Sequence, residues 1–152
     1  MRARESVGWL VRFAPKISVH VGRDAFRFTQ GSASLSLATV LWVEPISAGL
    51  RMVSVGEAPV GASGVVRVGL FDGEPCSVLP LEQGRMWALE TFLREAFYRL
   101  ARTRIRIRPA VSITGLDTLD SCLGGYQAAI LIHAFIAAGA QQVTFSVASS
   151  GA

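Results

Sequence analysis

The span from Pro109 to Val147 constrains the fold more than any other part of the chain. "PAVSIT", Pro109 to Thr114, alternates apolar and small polar residues as a strand does, and the pattern can be entered from Ile105. A helical stretch follows and ends at Gly139. Gly124-Gly125 weakens its first part, so the helix proper is expected to begin after that pair. "QVTFSV", Gln142 to Val147, reads as a second strand. Two neighbouring strands joined through a helix must run parallel, and the crossover is expected to be right-handed. That one unit places the chain in the α/β class.

The first half is mostly β. Lys16 to Phe28 reads as two strands joined at Gly22-Arg23-Asp24, with Val19 and Val21 alternating against Ser18 and His20, and Phe26 and Phe28 against Ala25 and Arg27. Gln30-Gly31-Ser32 is turn chemistry. Ser34 to Glu44, "SLSLATVLWVE", reads as one strand, ended by Pro45 and Gly49. Leu50 to Val55 and Val65 to Phe71 are further short strands. Leu81 to Arg102 is the clearest helix, because Met86, Leu89, Leu93, Phe97 and Leu100 recur at spacings of three and four. Glu90 and Arg94 stand in the favourable order for an i,i+4 ion pair.

At 152 residues the chain suits one domain with one core. It is 51% hydrophobic and 17% charged, an apolar balance that points to surface covered by a partner. The net charge of +4 rests almost wholly on arginine, with Lys16 the one lysine. This permits contact with anionic partners without establishing any. Cys76 and Cys122 form no close-spaced pair, and His20 and His133 stand apart, so no metal site is expected. Both cysteines are read as reduced and buried, in a cytoplasmic protein. No secretory signal is expected, and Ala128 to Ala140 is too short to span a bilayer.

Residues 1–15 read as a basic amphipathic segment closed by Pro15. As a helix it would group Trp9, Leu10 and Phe13 apart from Arg2, Arg4 and Arg12, a pattern suited to an anionic membrane interface and equally to docking on the domain. Residues 16–152 then form a single domain, with a β-rich insertion around 32–79.

Several segments, taken in order, resemble the actin-like ATPases, and among them the MreB-like proteins. "ISVHVGRDAFRF" resembles that family's first hairpin, where Asp-Leu-Gly-Thr precedes the second strand. "VEP" and "VSVGEAP" resemble its Asn-Glu-Pro and Val-Gly-x-Glu-Ala steps. "VLPLEQGRM" with "ALETFLREAF" resembles its Arg-Pro-x-x-x-Gly segment and helix. "RPAVSITG" resembles the Pro-Arg-Val-Val-Ile strand, and "AAGAQQVTFS" the Ala-Gly-Ala-x-x-Val strand entry. The resemblance covers roughly Lys16 to Val147 and implies the first half of an actin-like, ribonuclease H-like fold: a mixed β-sheet with flanking helices. It also implies a short amphipathic N-terminus that holds a membrane.

The same resemblance marks departures. His20 stands where the family has the metal-serving aspartate and Arg23 where it has threonine, while Gly22 is kept. Val147-Ala148 stands where the family has a glutamate that positions water, and seven extra residues lie around "LDTLDSC". The family's second phosphate loop and adenosine pocket lie beyond the matched span. Gly22, Arg23 and Asp24 are therefore read as the remnant of a phosphate loop, in which Arg23 could still meet an anion and Asp24 cap a turn. One loop cannot complete a magnesium–nucleotide site that needs two. No ATPase activity and no cofactor are expected.

Two further clusters remain. Arg99, Arg102, Arg104, Arg106 and Arg108 form a candidate anion patch, but without interleaved aromatics nucleic acid is not the expected partner. Cys122, His133 and Asp117 or Asp120 hold the residue types of a nucleophilic triad without its spacing, so His133 is read as a core or interface histidine. The expected function is that of a non-catalytic, MreB-like protein. It would associate with itself or with an actin-like filament partner, at the inner face of the membrane and in connection with cell shape. The alternatives are an actin-like protein that completes a nucleotide site by dimerising, or a basic binder of membrane surfaces or nucleic acid.

Overall fold

The computed structural model of the chain describes residues 14–61, 63–71, 83–101 and 108–146. In chain order the strands are β1 (Lys16–His20), β2 (Ala25–Gln30), β3 (Ala33–Ala38), β4 (Val40–Ile46), β5 (Gly49–Val55) and β6 (Val66–Gly69). Helix α1 (Gln83–Ala101), β7 (Ala110–Thr114), a 3-10 turn (Leu116–Leu119), α2 (Asp120–Leu123), α3 (Gln127–Ala138) and β8 (Gln142–Phe145) complete the fold.

The main sheet has the order β3-β2-β1-β7-β8. Its first three strands are antiparallel, while β1–β7 and β7–β8 are parallel. The sheet is therefore mixed, and β7–α3–β8 supplies the parallel pair that the sequence requires. Gly139 ends α3 at φ +118, a conformation that only glycine takes without strain. The N–H groups of Gly139 and Ala140 then close the helix on the carbonyls of Ile136 and Phe135.

Strand alternation sorts the side chains onto two unlike faces. Ile17, Val19, Phe26, Phe28, Leu37, Val111 and Ile113 point to the covered face, where α1 and α3 pack. Phe26 is the hub: its ring meets Phe92 of α1 edge-on at 5.5 Å, stacks on Phe71 at 5.8 Å and lies 6.3 Å from Phe28. Phe97 and Phe135 join α1 to α3 at 6.0 Å. Burying each such ring stabilises the fold by roughly 1.5–3 kcal/mol, so this cluster is what holds helix to sheet.

The expected single strand from Ser34 to Glu44 is two strands in two sheets. β3 closes the edge of the main sheet, and β4 begins a three-stranded antiparallel sheet of order β5-β4-β6. The break falls at Thr39, the one buried polar residue among the described residues. Its N–H and hydroxyl turn back to the carbonyls of Asp24 and Arg23, and its carbonyl accepts from Leu70 N–H at 2.9 Å. The β-rich span expected at 32–79 therefore divides: residues 33–38 complete the main sheet and the second sheet starts at Val40.

Glu90 and Arg94 make no ion pair with each other, contrary to the spacing rule. Both reach α3 instead: Glu90 lies 3.7 Å from His133, and the Arg94 guanidinium donates to the Ala137 carbonyl at 3.4 Å. On a helix that packs against a second helix, interhelical partners compete with the local one. Val147 of the last expected strand, Cys76 and the N-terminal segment lie outside the described residues.

Candidate functional site

The loop that follows β1 sits at the carboxyl ends of the parallel strands β1 and β7, the end of an α/β sheet where ligands characteristically bind. Its form follows from close backbone packing. Val21 N–H donates to the Thr114 carbonyl at 2.9 Å, which extends the β1–β7 pairing one step past the strand. Gly115 then lies against the loop at φ +85. A Cβ there would come within 2.5 Å of the Val21 carbonyl oxygen and 2.9 Å of the His20 ring. The Thr118 hydroxyl bridges the Gly115 carbonyl at 2.6 Å and the Val21 carbonyl at 3.1 Å. Gly22 is also constrained, since a Cβ would meet the Ala25 carbonyl at 3.0 Å.

The three loop residues singled out by sequence take different roles. Gly22 permits the tight exit from β1. The Arg23 and Asp24 side chains are exposed, and their carbonyls are held by Thr39. Among the described residues, Asp24 and Arg23 form no ion pair, and the Asp24 carboxylate caps no turn. His20 projects from the open face of the sheet, where its Nδ1 and the Thr114 hydroxyl are 3.0 Å apart. An imidazole engaged in this way presents no carboxylate oxygen to a hard cation such as Mg²⁺. Among the described residues no group of three His, Cys, Asp or Glu is placed to hold a metal. The donor set at this loop thus does not fit a magnesium–nucleotide.

Thr39, Thr114, Gly115 and Thr118 shape this loop and were not singled out by sequence reasoning. The signal available was Gly115 directly after an alternating strand, a turn mark that does not say which loop it will press against.

Arg99 belongs to α1, where it pairs with Glu95 at 3.0 Å and donates to the Val55 carbonyl at 3.4 Å. Arg108 is exposed ahead of β7, and Arg102, Arg104 and Arg106 lie outside the described residues. So do Arg2, Arg4, Trp9, Leu10, Arg12 and Phe13. His133 is a surface rather than a core histidine, with its side chain 70% exposed. Cys122 is half-buried and free, with the Ser121 hydroxyl 3.8 Å from its sulfur. The Asp120 carboxylate accepts from the Gln127 amide at 3.2 Å, so no acid–base–nucleophile chain forms.

Cys122 and His133 do share a groove of about 750 Å³, lined also by Met86, Tyr126 and Ile130. It adjoins the outer face of α3, where Ile132 and Ile136 are 41% and 46% exposed. Over its twelve residues α3 carries no Asp, Glu, Lys or Arg. No single helix among the described residues is long and apolar enough to cross a membrane.

No family model matches the sequence, and no curated protein does. Solved structures do match. The crystal structure of MreB5 of Spiroplasma citri bound to AMPPNP superposes with a TM-score of 0.61 at 15% identity, covering 89% of this chain and 39% of that one. The structure of MreB5 of Spiroplasma citri bound to ADP gives a TM-score of 0.60 at 13% identity, covering 89% of this chain and 38% of that one. The chain thus has a partial MreB-like, actin-like fold and spans about two-fifths of the length of these relatives.

Proposed function

We propose that this chain, built on part of an actin-like fold, is a non-catalytic MreB-like protein that works by association. It pairs with a second copy or with an actin-like filament protein, at the inner face of the membrane, in a process connected with cell shape. The observation that carries this reading is the outer face of α3. Ala129, Ile132, His133, Ile136 and Ala137 form one exposed stripe at spacings of three and four, opposite the buried Leu131, Ala134, Phe135 and Ala138. A helix apolar on both sides belongs in an interior, and the missing half of that interior is what a partner would supply.

The MreB5 structures hold AMPPNP and ADP. Here His20 and Arg23 stand at the loop at the ends of β1 and β7, and the loop's one carboxylate, Asp24, is exposed, which supports a role in association rather than in nucleotide turnover. Light scattering at micromolar protein is expected to give a mass above one chain. Ile132→Glu with Ile136→Glu should return it to a single-chain mass without loss of helicity, because a carboxylate desolvated against the facing helix is strongly disfavoured. A wild-type mass of one chain across the accessible concentration range would remove self-association from the reading.

A further inference from the structure

Strand β3 forms one edge of the main sheet, and it lacks the features that keep an edge to itself. Sheet edges are ordinarily guarded by charge, proline, a bulge or a covering element. The register of β3 with β2 runs unbroken, from Ala38 opposite Ala25 to Ala33 opposite Gln30, so no bulge turns it aside. No Lys, Arg, Asp, Glu or Pro occurs from Phe28 to Val43. Ser32, Ala33, Ser34 and Ser36 are exposed, so these positions are not covered either.

Hydrogen-bond parity fixes which backbone groups face outward. Thr39 N–H donates to the Asp24 carbonyl at 3.0 Å, one step beyond the pair of Ala38 and Ala25. Bonded and non-bonded pairs alternate along an antiparallel ladder. Leu37, Leu35 and Ala33 therefore bond to β2, while the N–H and C=O of Ser34, Ser36 and Ala38 point away from it. Gly56 closes off the last of these, since a Cβ there would lie 3.6 Å from the Ala38 nitrogen. Among the described residues the outward backbone groups of Ser34 and Ser36 have no partner.

The two flanks of this edge differ. On the open face of the sheet the register sets Ser34, Thr29, Ser18, Ser112 and Thr144 in one transverse row, a hydroxyl on every strand. On the helix side Leu35 is only partly buried against the core, whereas Leu37 is 5% exposed.

A second copy of β3 fits these features. Two copies running antiparallel about a two-fold axis at Leu35 set Ser34 against the partner's Ser36, and Ser36 against the partner's Ser34. Both are bonded pairs, and each exchanges two backbone hydrogen bonds through the unpartnered groups. Leu35 meets the partner's Leu35 at the non-bonded position between them, where side chains approach most closely, and its exposed part is covered. Charge does not oppose the contact. The nearest bases are Arg27 of each copy, roughly 14 Å or more apart across the intervening strands and beyond the ~8 Å screening length at physiological salt. A charged peptide would find no opposite charge on β3 to select it. The other edge, β8, is four residues long, and a contact of β3 with β8 would be heterologous, making each interaction once rather than twice.

We propose that β3 is a self-association edge, through which two copies join their main sheets into one continuous sheet. This surface is separate from the outer face of α3 and does not depend on the pairing proposed there. So short a ladder is weak, and it closes at protein concentrations above the micromolar range.

The test uses the full chain carrying Ile132→Glu and Ile136→Glu, which takes α3 out of the measurement. Sedimentation velocity from micromolar to near-millimolar protein is expected to move its mass from one chain towards two. Amide hydrogen exchange should locate the contact. The Ser34 and Ser36 N–H groups should slow about tenfold when a tenth of the chains remain unpaired, while Leu35 and Leu37, already bonded to β2, should not change. Ser36→Pro removes one outward N–H and leaves the ladder with β2 intact, so the mass should stay at one chain throughout. Ser34→Lys with Ser36→Lys keeps every backbone group and should do the same by charge, while Ser18→Lys, on a central strand of the same face, should change nothing. A mass of one chain at every concentration overturns the edge, whatever the wild type does through α3. So does a two-chain mass that persists in both edge variants. Protection of Ser34 and Ser36 that appears only on adding an actin-like filament protein overturns the second copy and gives the edge to that partner. A wild-type mass of one chain at micromolar protein, with protection of Ser34 and Ser36 as concentration rises, removes the α3 reading and supports the edge.

Discussion

Gly115 presses on Val21 so closely that a single added carbon would sit 2.5 Å from the Val21 carbonyl oxygen. Two residues 94 positions apart, as His20 and Thr114 also are, thus fix one loop at the ends of two parallel strands. Gly115→Ala meets both a φ of +85 and a backbone atom that cannot move without breaking the β1–β7 pairing. The expected loss is about 3 kcal/mol, or roughly 9 °C in the melting temperature of a domain this size. A thermal melt within a degree of wild type would mean that the loop yields easily.

Thr39 ties the same loop to the strand that leaves the main sheet. Thr39→Val keeps the shape and removes the hydroxyl that the Arg23 carbonyl accepts from. Loss of this part-buried hydrogen bond costs about 0.5–1.5 kcal/mol, which urea denaturation should read as a lower midpoint at unchanged slope. Thr39→Ser should recover most of it. A loss for the Ser substitution with none for the Val substitution would locate the effect in the methyl group instead.

Phe92 is fully buried against Phe26, while Tyr98 on the same helix is 78% exposed. Phe92→Ala is expected to cost about 3–5 kcal/mol through lost burial and the cavity left behind. Tyr98→Ala should stay within about 0.5 kcal/mol. Chemical denaturation of the two single variants checks the contrast, and similar values would contradict the packing of α1 described above.

Purified protein with Mg-ATP is expected to release phosphate no faster than a buffer blank. The reasons are His20 in place of an acid, its ring nitrogen beside Thr114, and Arg23 and Asp24 directed to solvent. Turnover that follows the protein through gel filtration, and disappears when Arg23 is changed to Ala, would show that the loop still works on phosphate.

Much of the architecture was legible in the sequence. The two-residue alternation of Lys16 to Phe28 gave the hairpin, because opposite faces of a strand see opposite environments wherever the chain is half-buried. The three-and-four spacing of Leu89, Leu93 and Leu100 marked α1, and the strand–helix–strand order of the last forty residues or so required a parallel pair. The loop residues Gly22, Arg23 and Asp24 could be located, but what holds them could not, since Thr39, Thr114, Gly115 and Thr118 carry no mark of which loop they will meet.

The sequence by itself determined which residues alternate, which form helices and which end them, since these follow from local sterics and from the periods of strand and helix. Tertiary structure alone decided where "SLSLATVLWVE" divides, because alternation runs unbroken through Thr39 and only its hydrogen bonds to Arg23, Asp24 and Leu70 send the halves to different sheets. It also decided that Glu90 and Arg94 serve α3 rather than each other. And it set five hydroxyls from five strands in one row, because register across a sheet is a property of pairings between distant segments, to which no single segment's pattern refers.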